Sequence, residues 1–347
     1  MQTNTFVSPA EETWAEYDTL SLWKSRGLVM DAPTVFTNTL EGTVRSYLHR
    51  ILPPTSAYGE GILSTLADFG DPLSTGARLP ALCCAAVGGD PAVGHLVSVA
   101  WWLLLSAARI LDDIEDAHPS AADQTRIITA QRLNRATGLQ ALAPLLVMEL
   151  GAHGVGTEVQ VELLQALHTA TLHACNGQAQ DLGACPDTVD LATGWRTVGA
   201  KSGTPCAVGC RMGALAGGGT VAQVDALEQF GYHLGVANQI LDDVAGTWHP
   251  ADGQDIKHGR VALPLLYALE VLPPEERCHL RDKVEKARTG SGGQVDLRAQ
   301  LLESGALHYL LIEVDRHRQT AEEALQVLQL PSPSTQALWS IWPRLRF

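Results

Sequence analysis

The sequence predicts an all-α protein, and three observations lead to that prediction. Apolar residues recur at helical spacing almost everywhere after residue 35. No run of alternating β-branched residues is bounded by hairpin turns. Hydrophobic residues make up 46% of the 347 residues and charged residues 18%, so the chain can bury a sizeable core. These values exclude a disordered, collagen-like or low-complexity protein.

The longest apolar helix has clear start and stop signals. Asp90 is a capping residue, and Pro91 stands at the first helical position. The helix is expected to run to about Asp116, and the sequence 118–120, His-Pro-Ser, ends it. By the same reasoning we predict further helices at 35–52, 58–70, 76–88, 121–136, 138–152, 157–183, 188–216, 220–247, 261–271, 275–288, 294–328 (split near Gly305) and 333–344.

The breaks between these helices are short, which favours one large domain. Gly- and Pro-bearing stretches such as 250–254 and 289–293 have the length of loops rather than of domain linkers. We therefore predict a single domain over 34–347. Residues 1–33 form a mixed N-terminal segment that we expect to be partly disordered.

Charge and cysteine usage exclude several classes of protein. Lys and Arg total 24 and Asp and Glu 38, a net charge of −14, which argues against a nucleic-acid or anionic-lipid partner. Seven cysteines without a CxxC pair indicate core residues in a reducing cytoplasm. The N-terminus lacks the pattern of a secretory signal. The apolar run 97–108 is too short to span a membrane and meets Arg109 and Asp112 at once, so we predict a buried helix and no membrane span.

Two similar acidic motifs end two long apolar helices. The first is DDIED at 112–116, and the second is DDVAG at 242–246. Positions i and i+4 share a helix face, so Asp112 and Asp116 project together, with Asp113 beside them. These carboxylates repel each other at the helix end whose dipole disfavours anions. One such cluster is typical of a solvated surface, but two indicate Mg²⁺ shared with a substrate diphosphate.

Around these motifs the sequence resembles the trans-isoprenyl diphosphate synthase family over roughly residues 60–330. DDIED looks like that family's first aspartate-rich motif, and GVANQILDDVAG at 235–246 looks like its second. Supporting matches are GQAQDL at 177–182, KSG at 201–203 and DIKHGRVALPLLYALE at 255–270. The resemblance implies an isoprenoid synthase bundle, with long helices around a central cavity, and Mg²⁺-dependent ionisation of an allylic prenyl diphosphate.

The resemblance also implies roles for individual residues. Asp112, Asp113 and Asp116 would hold Mg²⁺ on one side of the diphosphate, and Asp242 with Asp243 would hold it on the other; we expect three ions. Two cations, Lys201 and Arg260, would meet the phosphate oxygens directly, one as a point charge and one as a fork. Lys257 is a further diphosphate-binding candidate, although a solvent-facing position is also open. The carboxamides Gln178 and Gln239 would orient metal-bound water or the allylic end, with a buried interhelical hydrogen bond as the alternative for Gln178.

The helix before Asp112 predicts the wall of an apolar pocket. Its face carries Ala108, then Leu104, then Trp101, whose indole face would stabilise a migrating cation. A plain core role for Trp101 is the alternative. The small residue next to the acidic end leaves room for a long tail, so we favour a twenty-carbon substrate, geranylgeranyl diphosphate, over farnesyl diphosphate.

The sequence departs from the family at the site for a second substrate. Chain-elongating members hold isopentenyl diphosphate with Gly-Gly-Lys-Arg-x-Arg-Pro, but here the stretch 76–80 is Gly-Ala-Arg-Leu-Pro, and no Arg pair follows Asp116. Each lost charge-assisted hydrogen bond removes about 1.5–3 kcal/mol. In addition, Gly246 stands where the second motif commonly has a third Asp, and Ala262 stands where Thr is common.

These departures lead us to expect a terpene synthase built on the synthase scaffold, which cyclises its own substrate cation and releases diphosphate. Three alternatives stay open: a chain-elongating prenyltransferase, transfer of the prenyl group to a non-isoprenoid acceptor, and a non-catalytic subunit of a heteromeric synthase. The intact DDIED motif argues against the last. From the resemblance we also expect a homodimer.

Overall fold

The computed structural model describes residues 32–53, 55–68, 75–116, 123–182, 189–248, 255–256, 260–289, 292–326, 328 and 333–342. Every regular element in these ranges is helical, and no strand occurs in them. The all-α prediction is therefore confirmed. The expected N-terminal segment at 1–33 lies almost entirely outside the described ranges, so that boundary stays a prediction.

The helices are numbered here in chain order. They are α1 Ala32–Ile51, α2 Ala57–Asp68, α3 Thr75–Ala86, α4 Pro91–Asp116, α5 Asp123–Glu149, α6 Thr157–Leu182, α7 Leu191–Val198, α8 Thr204–Ala216, α9 Val221–Trp248, α10 Leu263–Val271, α11 Pro274–Arg288, α12 Gln294–Glu303, α13 Ala306–Gln326 and α14 Pro333–Ile341. A 3₁₀ turn, Leu150–His153, follows α5, and a π-helical turn, Gly199–Gly203, joins α7 to α8.

Two long helices form the centre of the bundle. Helix α4 packs against α3, α5 and α8, and its buried face carries Trp101, Leu103 and Ile110. Helix α9 packs against α8 and α13, and its buried face carries Phe230 and Leu234. Each central helix carries one of the acidic motifs near its C-terminal end, so the core positions both motifs.

Helix α4 is long and apolar enough to cross a membrane by length and composition alone. However, 67% of its most apolar window is buried inside the protein, against neighbouring helices. That burial is typical of the central helix of a bundle, which agrees with the predicted buried helix at 97–108.

Two predicted helix boundaries were wrong. We predicted helices at 121–136 and 138–152, but one helix, α5, runs through Gly138 and Pro144. A side chain at Gly138 would overlap the hydroxyl of Tyr58, which donates a hydrogen bond to the carbonyl of Asn134 at 3.0 Å. This glycine therefore serves close helix packing and not a chain break. The predicted single helix at 188–216 is interrupted by the π-helical turn.

The expected break near Gly305 is confirmed. Gly305 has a φ of +83°, a left-handed conformation that glycine adopts without strain, and it separates α12 from α13. The predicted end of α4 at Asp116 is also confirmed.

The cysteines follow the core prediction only in part. The six in the described ranges form no disulfide, and Cys83, Cys84 and Cys210 are buried. Cys175 and Cys278 are exposed, so they are not core residues.

Helices α3 and α8 approach so closely that one glycine between them has no room for a side chain. A Cβ added at Gly213 would lie 2.6 Å from the Cα of Pro80 and would overlap its carbonyl oxygen. We expect Gly213→Ala to lower the free energy of unfolding by about 1–3 kcal/mol, because the backbone of α3 must move. Urea unfolding followed by circular dichroism measures this change.

Gly42→Ala is the matched control. Gly42 lies within α1 and nothing stands within 4 Å of an added Cβ. This variant should gain about 0.5–1 kcal/mol from helix propensity. Equal unfolding energies for the two variants would contradict the close approach.

Candidate active site

The second acidic motif is held by a chain of hydrogen bonds at the end of α9. Asp243 is only 7% exposed, and its two carboxylate oxygens accept hydrogen bonds from Gln239 Nε2 at 2.8 Å and from the Leu263 backbone N–H at 3.1 Å. The side-chain Oε1 of Gln239 in turn accepts a hydrogen bond from Ser202 Oγ at 2.7 Å. Asp242 is the more exposed residue of the pair. The Asp243 carboxylate is thus fixed by hydrogen bonds within the protein, while Asp242 is exposed.

Burial makes both carboxylates hard to ionise. Burial raises the pKa of Asp243 to about 7, against the lowering effect of its two hydrogen bonds. Burial, with the nearby charge of Asp255, also raises the pKa of Asp242. A cation would reverse both effects, because it favours the charged form of each carboxyl group.

Lys201 is presented by the π-helical turn between α7 and α8. π-Helical turns inside helices are frequent at functional sites. The turn is pressed against α9, since a Cβ at Gly235 would overlap the carbonyl oxygen of Ser202, and a Cβ at Gly203 would lie 2.8 Å from the ring of Tyr232. The ammonium of Lys201 lies 3.2 Å from Asp112 Oδ1. The glycines therefore bring one lysine between the two acidic helix ends.

At the end of α4 each described aspartate has a cationic partner. Asp112 pairs with Lys201, and Asp113 accepts a hydrogen bond from Arg132 of α5 at 2.8 Å. The Asp113 and Arg132 side chains are 47% and 35% exposed, so this pair contributes little to stability. Asp116 is the last residue of α4, but its side chain lies outside the described part of the structure.

A cavity of about 340 Å³ opens beside the end of α9. Its polar lining includes Lys201, Gln239, Asp242, Asp243 and Arg260, all of which the sequence predicted as site residues. Val198, Leu263 and Leu266 add apolar walls. Its volume falls in the range of small-molecule sites, and its paired cations and carboxylates suit a diphosphate with its metal ions. Lys257 lies outside the described residues, so its role stays a prediction.

The side-chain amide of Gln178 has no hydrogen-bond partner within the described part of the chain. Neither its Oε1 nor its Nε2 has a hydrogen-bond partner among the described residues, although both atoms are buried. The preceding residue, Gly177, packs against Lys201, since a Cβ added there would lie 3.2 Å from the Lys201 backbone nitrogen. An unsatisfied buried amide is costly, so it favours a ligand or water at this point over the interhelical hydrogen bond that we held open.

The residues predicted to wall the apolar pocket do not line this cavity. Trp101 is 1% exposed and Leu104 6%, and both belong to the core around α4. Trp101 lies against Gly209 of α8, where an added Cβ would stand 2.9 Å from the indole nitrogen. Ala108 is exposed. Their role in binding a prenyl tail stays a prediction.

The acidic residues of the site suit magnesium only together with a bound diphosphate. Among the described residues, no three His, Cys, Asp or Glu side chains are grouped closely enough to hold a metal ion by themselves. Mg²⁺, however, keeps several waters and takes one or two carboxylates together with substrate phosphates. Asp242 and Asp243 supply such a pair, and Lys201 and Arg132 supply positive charge at the first motif. The residues therefore fit a magnesium ion that is completed by a diphosphate.

Sequence reasoning missed four residues at this site. Ser202, Gln180, Asp255 and Arg132 line the cavity or bind a predicted site residue. Ser202, Gln180 and Asp255 stand inside the quoted motifs, so their position in the motif was an available signal. Nothing in the sequence points to Arg132, whose contact depends on how α5 packs beside α4.

A helical bundle of this kind is also found when the chain, which carries the paired acidic motifs, is compared with known proteins. Residues 81–299 match the family described as Polyprenyl synthetase. The chain belongs to that family, which confirms the resemblance to trans-isoprenyl diphosphate synthases. The matched region contains both acidic motifs.

Three relatives illustrate the likeness. The chain is 26% identical over 265 residues to a short chain isoprenyl diphosphate synthase of Methanothermobacter thermautotrophicus, covering 72% of this chain and 79% of the relative. It is 30% identical to a geranylgeranyl diphosphate synthase of Mycobacterium tuberculosis, over 56% of this chain and 57% of that relative. A geranylgeranyl pyrophosphate synthase structure from Corynebacterium glutamicum, complexed with isoprenyl diphosphate and magnesium, has a TM-score of 0.74 at 15% identity, covering 89% of this chain and 96% of that one.

The raised pKa of Asp243 predicts a pH dependence of stability in metal-free protein. The carboxyl group holds its proton up to about pH 7 when folded and up to about pH 4 when unfolded. The folded state therefore binds more protons in that range, and the free energy of unfolding falls as the pH rises through it. At about 1.4 kcal/mol per pKa unit, the upper limit for this contribution is roughly 4 kcal/mol.

Urea unfolding in the presence of a chelator, measured at several pH values, tests this prediction. Asp243→Asn cannot titrate, so its stability should fall less over the same range. Identical pH profiles for the variant and the unmodified protein would show that Asp243 isn't the responsible group.

Proposed function

We propose that this protein is a magnesium-dependent enzyme that ionises an allylic prenyl diphosphate and transfers the resulting prenyl group, as a prenyltransferase of the polyprenyl synthetase family. The observation that supports it best is the 340 Å³ cavity, which gathers Lys201, Gln239, Asp242, Asp243 and Arg260. Magnesium, when bound, neutralises the diphosphate as it leaves.

The chain's own residues divide this work. Asp242 and Asp243 at α9, with Asp112, Asp113 and Asp116 at α4, would hold the ions, and we propose three of them. Lys201 and Arg260 bind phosphate oxygens. Their interaction with these oxygens strengthens as negative charge develops on the leaving group. Because Lys201 already pairs with Asp112, a bound diphosphate would exchange one anion for another at its ammonium.

The amides orient the reacting end. Gln239 is fixed between Ser202 and Asp243, so its donor side is committed to the carboxylate that it supports. Both amide atoms of Gln178 are buried and have no hydrogen-bond partner among the described residues. We therefore assign Gln239 to positioning Asp243, and Gln178 to contact with the allylic end or with metal-bound water.

Chain elongation is the fate of the cation that the relatives favour. Both sequence relatives above are named as isoprenyl or geranylgeranyl diphosphate synthases. Their names support condensation of the cation with isopentenyl diphosphate. They favour this alternative over the cyclase that the sequence led us to expect.

Cyclisation is the second candidate, and a specific observation favours it. The stretch at 76–80 retains one cation, Arg78, where elongating members have three, and no Arg pair follows the first acidic motif. A second diphosphate would lose several charge-assisted hydrogen bonds, each of about 1.5–3 kcal/mol. Without a second substrate the cation would react with its own double bonds. We propose geranylgeranyl diphosphate as the substrate in that case, followed by farnesyl diphosphate.

A homodimer is the assembly that we propose. Large apolar side chains are exposed on α5 and α6, including Ile128, Leu145, Met148 and Leu172. Exposed apolar surface on these two helices would be covered in a dimer. A monomeric mass from light scattering would contradict the proposal.

One assay separates the two fates of the cation. The purified protein is incubated with Mg²⁺ and either geranylgeranyl or farnesyl diphosphate, with and without isopentenyl diphosphate. Longer prenyl diphosphates that form only with isopentenyl diphosphate would support elongation. A hydrocarbon or terpene alcohol that forms without it would support cyclisation. Absence of diphosphate release in every mixture would contradict the proposed ionisation.

Single aspartates at each helix end test the site itself. We expect Asp112→Ala and Asp242→Ala each to lower turnover at least about 100-fold, because each removes a ligand for metal-bound diphosphate. The free energy of unfolding should change by less than about 1 kcal/mol, since both side chains are partly exposed and repel neighbouring anions.

Asp225→Ala is the matched control for these variants. Asp225 is an exposed acid on the same helix as Asp242, 17 residues earlier and far from the cavity. Its turnover should equal that of the unmodified protein. Unfolding of Asp112→Ala and Asp242→Ala would instead indicate that these aspartates are structural.

A further inference from the structure

Two histidines form a hydrogen bond between helices α9 and α13, outside the residues that line the cavity. His233 of α9 and His317 of α13 place their Nδ1 atoms 2.7 Å apart, with ring centroids 4.9 Å apart. Both side chains are partly buried. One Nδ1 must carry a hydrogen and the other must accept it, so at least one imidazole of this histidine pair is neutral. If both rings were protonated, two N–H groups would face each other at this distance.

The histidine pair contacts the helix that leads into the π-helical turn. The indole of Trp195 in α7 stacks on the His317 ring, with centroids 6.3 Å apart, and its Nε1 donates a hydrogen bond to the Tyr309 hydroxyl at 2.9 Å. Tyr309 also belongs to α13. Helix α7 continues directly into the turn that presents Lys201. Trp195 therefore connects the position of α13 with that of the lysine.

The same turn is also contacted by the residue next to His233. A Cβ added at Gly199 would lie 2.6 Å from the Tyr232 hydroxyl, and one added at Gly203 would lie 2.8 Å from the Tyr232 ring. Tyr232 meets the His233 ring edge-on, with centroids 5.5 Å apart. Helix α9 thus reaches the turn through Tyr232 and α13 reaches α7 through Trp195, and the histidine pair joins these two helices at that level.

A doubly protonated pair would have no counter-charge in contact with it. Within the described ranges, no carboxylate forms an ion pair with either imidazole, and the nearest charged side chains along α7, α9 and α13 have other partners. These are Glu313 with Arg316 and Asp315 with Arg318 on α13, Arg196 with Thr193 on α7, and Glu228 with Arg211 of α8. The other titratable groups on the packed helices are the phenols of Tyr232, Tyr267 and Tyr309, the buried thiol of Cys210 on α8 and the exposed Glu270 on α10.

Burial also disfavours the charged form of both rings. It lowers the pKa of His233, and burial together with the charge of His233 lowers the pKa of His317 to about 4. In the unfolded chain both histidines would take up protons near the ordinary value of about 6.5. The unfolded or separated rings therefore bind more protons, so the stability that this contact contributes is lost as the pH falls from about 6.5 towards 4.

We propose that the histidine pair is a proton-sensitive contact that positions Lys201: while one imidazole is neutral, the pair holds α7 and the π-helical turn in place, and protonation of both rings releases them. The inference concerns regulation of the candidate active site and rests on the proposed function, in which Lys201 binds a diphosphate. His233 and His317 act there as positioning residues, through Trp195 and Tyr232.

A double-mutant comparison tests whether the pair acts through Lys201. The probe is inorganic pyrophosphate with Mg²⁺, and isothermal titration calorimetry of the full chain at neutral pH measures its affinity. We expect His317→Ala to weaken binding about 2–30-fold, because the turn loses its support. The same change in a Lys201→Ala background should weaken it less than about 2-fold, since the positioned group is already gone. Equal losses in both backgrounds, or no loss in either, would overturn the inference.

A second comparison isolates the effect of the proton. In His317→Asn the side-chain amide can donate or accept, so it can bond to His233 whether or not that ring is protonated. Between about pH 7 and pH 4.5, pyrophosphate binding by the unmodified protein should weaken more steeply than binding by His317→Asn, because the ligand, Asp242 and Asp243 titrate in both. His308→Asn changes an exposed histidine of the same helix and should follow the unmodified protein. Identical profiles for His317→Asn and the unmodified protein would contradict the proposed release by protons.

Failure of this inference can be told apart from failure of the proposed function. Absence of Mg²⁺-dependent pyrophosphate binding by the unmodified protein would overturn both. Binding that Lys201→Ala weakens and His317→Ala does not would leave the proposed site intact and overturn the role of the histidine pair alone. Should His317→Ala fail to fold, as judged by circular dichroism, His317→Phe takes its place in the double-mutant comparison, since it keeps a ring against Trp195 but cannot form the hydrogen bond.

Discussion

Electrostatic repulsion between carboxylates at the ends of two central helices is the constraint on which the rest of this structure depends. Asp112 and Asp113 lie among the last five residues of α4, and Asp242 and Asp243 lie five to six residues before Trp248, the last residue of α9. Nearby groups reduce this repulsion at each helix. Lys201 and Arg132 contact Asp112 and Asp113. Asp243 accepts hydrogen bonds from a glutamine amide and a backbone N–H, and burial raises its pKa to about 7.

The repulsion between the carboxylates is not fully compensated by these groups. A binding site for positive charge requires such uncompensated negative charge. A fully neutralised pair of helix ends would gain little from a cation. Here the raised pKa of Asp242 and Asp243 shows that ionisation is costly without one. Lys201 can leave Asp112 for a phosphate because their contact is partly exposed and weak. Under the proposed function, the free energy of substrate binding would thus come from charges that the fold has already brought together.

Much of this arrangement could be predicted from the sequence, and the rest could not, for physical reasons. Helical periodicity and the paired acidic motifs are local signals, so the central helices were predicted correctly, and five of the predicted site residues line the cavity. The π-helical turn at Lys201 and the run of α5 through Gly138 depend on neighbours that are distant in sequence. A helix break was predicted just before Gly138, where the glycine instead allows close packing, and a continuous helix was predicted at 188–216, where the π-helical turn interrupts it.

The fate of the cation depends on the same balance of charges at a second position. Under the proposed function, the protein would bind one diphosphate with Lys201 and Arg260 and with metal ions held by its aspartates. A second diphosphate would add about three negative charges to a chain whose net charge is already −14. The family pattern of chain-elongating members supplies three cations for that second diphosphate, and this chain retains one of them, Arg78. Because most of those cations are missing, elongation would need other cations near the first motif, and Arg132 already contacts Asp113 there. Cyclisation would need no second diphosphate. Under the proposed function, the cations available to a second diphosphate would therefore decide between elongation and cyclisation.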